Sequence, residues 1–315
     1  MPDKRRRTPM PIRIPKGLPA LSTLEMEGVM VMDEEGPACR HHRPLRIGLL
    51  NLMPNKIDTE TQIARLLGAT PLQVELTLVK TSSYVPRNTS SEHIASFYRD
   101  WSDIREQKFD GFIITGAPIE TMPFEAVAYW DELTHIFRWT QTNVHSCLNI
   151  CWGAQAAMHY FHGMPRYLLD EKAFGVFRHH GLDNASPYLK GFPDDFHIPV
   201  SRWMEMRHVD IPPDSGISVL IDSPETGICL LNDPRHRALH IFNHIEYDAT
   251  TLADEYFRDR NAGRSIHLPR NYFPEDCETR HPINRWRGHA HLLFGNWINR
   301  IFQTAPADLV TIGNE

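Results

Sequence analysis

The stretch Asn143 to His162, NVHSCLNICWGAQAAMHYFH, leaves this chain few ways to fold. Val144 to Cys151 is apolar enough for a buried strand, and Trp152 to Tyr160 carries Ala154, Ala156, Ala157 and Met158 at helical spacing. Cys151 stands at the junction, with Gly153 two residues on. Strand, tight turn, helix is the layout of a nucleophile elbow, in which the turn lifts one side chain clear of the sheet. Small neighbours let the backbone bend beneath it. The unpaired N–H groups and positive field of the helix N-terminus favour a thiolate and a developing oxyanion. A cysteine that ends a strand is also ordinary core filling, so the residues alone leave a catalytic and a packing Cys151 both open. Cys147, with no turn after it, reads as packing.

The flanking chain repeats the alternation. Strands are expected at 46–53, 74–79, 109–115 and 144–151, with helices at 56–67, 90–101, 126–139 and 152–160. That order predicts an α/β fold, a mostly parallel sheet flanked by helices with right-handed crossovers. Sites in such sheets gather beyond the C-terminal strand ends, where both Cys151 and the segment GAPIE at 116–120 fall. Further on the signals weaken. Residues 170–176 read as a loop or short strand, and 181–199, with three prolines and two glycines, as a surface excursion. Paired strands are expected at 216–221 and 226–231, a short strand at 237–242, and helices at 250–260 and 291–302.

A thiol nucleophile needs a base, and the base an orienting group. His244 stands just past a strand, as Cys151 does, and Glu246 lies two residues beyond it. A structural, hydrogen-bonded His244 is the competing reading. No metal site is expected. His240 and His244 are four apart on strand and turn rather than on one helix face, and Cys277, His281, His289 and His291 lack a converging pattern.

Composition closes off other classes. Apolar residues make up 41% and charged residues 23%, the balance of a globular chain, and the net charge of −6 argues against nucleic-acid binding. There is no apolar run of about 18 residues that could span a membrane. Five cysteines, an odd number without close pair motifs, fit a reducing, cytoplasmic compartment. Residues 1–20 carry six Lys or Arg against one acid, and five prolines, a basic extended lead-in. Residues 21–303 then form a single domain with insertions, and 304–315 a tail.

The ordered motifs LMPNKIDTETQ at 52–62, TGAPIE at 115–120, ICWGAQAAM at 150–158, EKAFGVF at 171–177, HIEYD at 244–248 and WRGHAHLLFGNWIN at 286–299 carry a family resemblance. From Met10 to Gln303 the chain resembles the homoserine O-acyltransferases of methionine biosynthesis, built on a class I glutamine-amidotransferase-like, flavodoxin-like fold with C-terminal additions. The resemblance implies ping-pong acyl transfer with Cys151 as nucleophile, His244 as base and Glu246 as its orienter. It implies an oxyanion hole of backbone at Gly116 and Trp152, and substrate-binding roles for Lys172, Ser201 and Arg258. Arg258 would hold the amino-acid carboxylate, which suits a guanidinium fork. Glu120 implies acetyl-CoA as donor, because a carboxylate there fills the space and repels the distal carboxylate of a succinyl group. No bound cofactor is implied; the partners are acetyl-CoA and L-homoserine, and a homodimer is expected. Two departures bear on the acceptor. Trp203 and Met204 stand where the family commonly reads SRHTE, and Ile245 where it reads GHPEYD. L-serine as acceptor and succinyl-CoA as donor are the alternatives within the family. A glutamine-hydrolysing enzyme and a non-catalytic small-molecule-binding module are the alternatives outside it.

Overall fold

Short apolar strands with no polar face must be covered on both sides, and that requirement builds the first half of the molecule. In this computed structural model, residues 12–27, 29, 31–33, 43–84, 89–306 and 308–313 are described. The first elements are β1 (Ile12–Ile14), α1 (Ala20–Met26), β2 (Val31–Asp33), β3 (Leu45–Leu50), α2 (Lys56–Leu67) and β4 (Val74–Lys80). Next come α3 (Ser91–Phe97), β5 (Arg99–Asp100), α4 (Trp101–Ile104), β6 (Phe109–Ile114), α5 (Trp130–Asn143), β7 (Val144–Ile150) and α6 (Trp152–His162). The second half holds β8 (Tyr167–Gly181), β9 (Phe196–Glu205), β10 (Ser218–Ser223), β11 (Gly227–Asp233), β12 (Ala238–Ile241), α7 (Thr251–Asn261) and α8 (Arg287–Thr304).

Among the described residues the strands form one sheet in the order β2-β1-β4-β3-β6-β7-β12-β11-β10-β8-β9, with β5 beside β4. From β2 to β12 every pairing is parallel; from β12 onward every pairing is antiparallel. The chain leaves β3 towards β4 and returns on its other side as β6. The strand order therefore reverses between β3 and β6, and a crevice opens beyond their C-terminal ends. Trp297 and Ile301 of α8 close one face, lying where a Cβ on Gly111 would meet them at 2.9 and 3.0 Å.

Several expectations change. Residues 170–176, expected as a loop or short strand, belong to the fifteen-residue β8, and 196–199, expected within a surface excursion, belong to β9, which pairs with it. Pro199 sits within β9, where an edge strand tolerates it. The helix expected at 126–139 starts at Trp130, and the one expected at 90–101 breaks at Tyr98, whose hydroxyl is held by buried Glu60. Ser90 does cap α3, accepting from the His93 N–H. The lead-in is not separate from the fold beyond residue 11, since Ile12, Ile14 and Leu18 are buried and β1 pairs with β4. Its basic stretch Lys4 to Arg7 lies outside the described residues. The tail is also engaged: Ile312 is buried and its carbonyl accepts from Lys108 Nζ at 2.9 Å. Among the described residues no helix is long and apolar enough to cross a membrane.

Candidate active site

The elbow forms as its residue types require. Cys151 has φ 50° and ψ −116°, a conformation that costs a non-glycine residue about 1–3 kcal/mol and is held by its surroundings. Its N–H donates to the Ile241 carbonyl at 2.7 Å, which ties the end of β7 to the end of β12. Gly153 lets α6 approach β6, because a Cβ there would lie 2.6 Å from the Thr115 carbonyl oxygen. Gly116 faces Cys151: a Cβ on it would lie 3.1 Å from Cys151 Cβ. Trp152 has its ring fully buried against Phe124 and Tyr129, so only its backbone serves the site. As the first residue of α6, its N–H has no intrahelical acceptor.

His244 arrives from β12. Its N–H donates to the Pro199 carbonyl at 2.9 Å, its Nδ1 bonds Glu246 Oε1 at 2.7 Å, and its ring stacks on Tyr247 with 4.1 Å between centroids. Burial pushes the His244 imidazole down. Attraction to Cys151 and Glu246, and hydrogen bonds to both, outweigh burial and hold it well above its ordinary value. The second Glu246 oxygen, Oε2, is buried without a hydrogen-bond partner among the described residues. This carboxylate is therefore committed to the imidazole. The fold brings Cys151, His244 and Glu246 together from two strand ends.

The remaining residues line one cavity over Cys151. Lys172, Ser201, Glu120, Gly116 and Arg258 all border it. Lys172 lies at an irregularity where β8 takes five steps, Leu168 to Ala173, against two in β9, and such a bulge re-aims a side chain. Its Nζ is 3.2 Å from Glu255 Oε2, the oxygen that also accepts from Ser201 Oγ. Tyr247 OH donates to Glu255 Oε1 at 2.8 Å. Burial pushes Glu255 up, but Lys172, Ser201, His244 and Tyr247 together hold it below the usual carboxylate value. Glu255 and Tyr247 are the residues the sequence reading missed as site members. Their signal was present, since Glu255 precedes Arg258 by one helical turn, but nothing local marked its face as buried. Arg258 borders the cavity with Nε paired to Asp259 Oδ1 at 2.8 Å. Glu120 turns inward, and its Oε2 accepts from the Trp203 N–H at 2.7 Å. Burial is the largest influence on Glu120 and raises its pKa, against the pull of that N–H, Lys172 and His244.

Three comparisons bear on this arrangement. The fold is that of the class I glutamine amidotransferases. A glutamine amidotransferase from Thermotoga maritima superposes with a TM-score of 0.56 at 14% identity, covering 84% of this chain and all of that one. A putative GMP synthase component from Thermoplasma acidophilum gives 0.52 at 15%, over 84% and 96% of the two chains. The family model described as homoserine O-succinyltransferase matches residues 11–307, and the chain belongs to that family of acyltransferases. Proteins named homoserine O-acetyltransferase from Brucella canis and from Brucella melitensis biotype 1 are each 63% identical to it over 304 residues, 96% of this chain and 99% of theirs.

Proposed function

We propose that this protein transfers an acetyl group from acetyl-CoA to the side-chain hydroxyl of L-homoserine, a step of methionine biosynthesis, through a thioester on Cys151. The Cys151 sulfur attacks the acetyl carbonyl of acetyl-CoA as its proton passes to His244. The C–S bond to CoA breaks, and CoA leaves with that proton as the free thiol. The homoserine hydroxyl then gives its proton to His244 and attacks the Cys151 thioester. The new C–O bond forms, the C–Sγ bond breaks, and the proton returns to sulfur. Glu246 fixes the imidazole through the first half-reaction and the second. The N–H groups of Gly116 and Trp152 receive the oxyanion in both. Lys172 and Ser201, braced on Glu255, and Arg258 hold the amino acid.

The single observation that supports an acetyl rather than a succinyl donor is Glu120. Its side chain occupies the cavity that contains Cys151 and is fastened to the Trp203 N–H. Charged or protonated, it takes the room a longer acyl chain needs. The Brucella relatives' names agree with this choice, and the family's printed name does not. The Trp203 and Met204 departures change side chains on a segment whose backbone N–H groups hold Glu120, so they leave that anchor intact. Ile245 is buried in the core and replaces proline by packing. Homoserine and serine differ by one methylene, worth about 1–3 kcal/mol of discrimination. A cytoplasmic homodimer belongs to the same reading.

The test is CoA release with acetyl-CoA and succinyl-CoA, against homoserine and serine, in wild type and Cys151→Ser. Acetyl-CoA with homoserine is expected to turn over fastest, and Cys151→Ser to lose on the order of 10³-fold or more. Faster turnover with succinyl-CoA overturns the donor, and undiminished Cys151→Ser activity overturns the nucleophile. Glu120→Gly is expected to shift the ratio of catalytic efficiencies towards succinyl-CoA. An unchanged ratio removes Glu120 from the donor pocket.

A further inference from the structure

At the end of α6 away from Cys151, three imidazoles surround one carboxylate. His162 ends α6, Asp233 ends β11, His236 lies in the turn that follows, and His240 lies within β12. Asp233 Oδ2 is 2.6 Å from His162 Nε2, 2.7 Å from His236 Nδ1 and 3.9 Å from His240 Nε2. The ligand atoms of His162, Asp233 and His236 lie within 4.8 Å of one another. Asp233 and His240 are fully buried, and the His162 and His236 side chains are only 5% and 14% exposed. At 3.9 Å the third ring nitrogen is beyond hydrogen-bond distance. His240 Nε2 has no partner among the described residues, although its side chain is completely buried. A buried orphaned nitrogen is costly, and this one points at an anionic oxygen already flanked by two other imidazoles.

We propose that His162 Nε2, His236 Nδ1 and Asp233 Oδ2 hold a divalent transition metal, zinc by ligand type, and that His240 Nε2 is drawn in as the fourth ligand of a tetrahedral site. Three imidazoles and one carboxylate are a zinc-like donor set, and calcium and magnesium prefer oxygen ligands throughout. Metal–ligand bonds of about 2.0–2.2 Å require ligand-to-ligand edges of about 3.3 Å. The two short contacts would open by about 0.6–0.7 Å, and His240 Nε2, which lies outside the 4.8 Å group, would swing in by roughly 1.5 Å or more. The protons between Oδ2 and the rings of His162 and His236 leave as the ion enters. His240 has an outer partner as well. Asn149 lies 3.2 Å from its Nδ1, and Asn149 Oδ1 has no partner among the described residues. Turning that amide over lets Oδ1 accept from Nδ1–H, which leaves the Nε2 lone pair for the metal.

The site differs from the histidine and cysteine combinations weighed in the sequence, because its members lie on α6 and on the β11–β12 hairpin. Its role is structural. The eleven residues of α6 put it about 16 Å from the nucleophile. It would clamp the helix that begins at Cys151 to the strand that leads to His244.

The full chain, expressed without a histidine tag and stripped with chelator, is titrated with Co²⁺ and followed by its ligand-field absorption. Zinc in the protein before stripping is counted by plasma mass spectrometry. Wild type and Cys151→Ala, which removes a competing thiol, are expected to take up one ion per chain with tetrahedral bands. Asp233→Asn is expected to lose them, and the partly exposed His236→Gln to bind at least about 10-fold more weakly with an unchanged circular dichroism spectrum. Zinc should raise the melting temperature of stripped wild type and not that of His236→Gln. Failure of wild type to bind one ion, loss of binding in Cys151→Ala, or unchanged binding in His236→Gln overturns the site.

Discussion

In the proposed mechanism Cys151 and His244 make each other's chemistry possible, and Glu246 makes the pairing durable. The carboxylate holds Nδ1 at 2.7 Å and has no other hydrogen-bond partner among the described residues. Glu246→Gln keeps the shape and removes the charge. A similar change in a triad acid costs about 10⁴-fold in kcat, so a loss of about 10²–10⁴-fold is expected here. The carboxylate is one of the influences that raise the His244 pKa. Its removal should therefore move the histidine limb of the kcat/KM pH profile to lower pH. A limb that stays in place would show that Glu246 does not act on the imidazole. Periodicity located Cys151 and His244 just past strand ends, and the family resemblance supplied their proposed roles and that of Glu246. Glu255 was not legible, since its three partners come from β8, β9 and the segment after β12.

At the level of elements, the elbow depends on how closely α6 can lie against β6. In an exposed helix, replacing glycine by alanine gains about 1 kcal/mol. At Gly153 the new methyl would sit 2.6 Å from the Thr115 carbonyl and 2.9 Å from that of Ile114, both backbone atoms that cannot swing aside. Overpacking of this kind costs about 1–3 kcal/mol or more, so the clash wins. Gly153→Ala is expected to lower the unfolding free energy in urea and to reduce turnover further, since the helix shift carries Cys151 with it. Stabilisation instead would show that α6 has room to move. The β8–β9 pair shows the opposite case. Its length came from pairing across residues that read locally as turns, with Pro199 and the irregular stretch before Ala173 hiding the strand from any period-two count.

The molecule as a whole holds buried histidines whose charge it cannot accommodate. His179 donates Nδ1–H to the Phe177 carbonyl at 2.8 Å, and its Nε2 accepts from Asn243 Nδ2 at 2.8 Å, one residue before His244. Burial is the main reason its pKa is pushed down to about 4 from 6.5. Between these values the unfolded chain binds the proton and the folded chain does not, so stability falls as pH drops from 6.5 to 4. The loss attributable to this group is about 3 kcal/mol. Equilibrium unfolding across that range should show the decline. His179→Gln, which offers a donor and an acceptor but cannot titrate, should flatten it. An equal slope in the variant would assign the acid sensitivity elsewhere.

By itself the chain order of apolar runs determined the parallel half-sheet and the turn at Cys151, and it placed a cysteine and a histidine just past strand ends, while their pairing came from the family resemblance. The sheet, the turn and the two placements follow from local periodicity and from the rule that open parallel sheets place their loops at one edge. Tertiary structure alone decided the antiparallel half, the Lys172–Ser201–Glu255–Tyr247 network, the inward turn of Glu120 and the meeting of His162, Asp233, His236 and His240. Those contacts join segments tens of residues apart, and which side chains meet there depends on strand register and helix docking. No local spacing encodes either one.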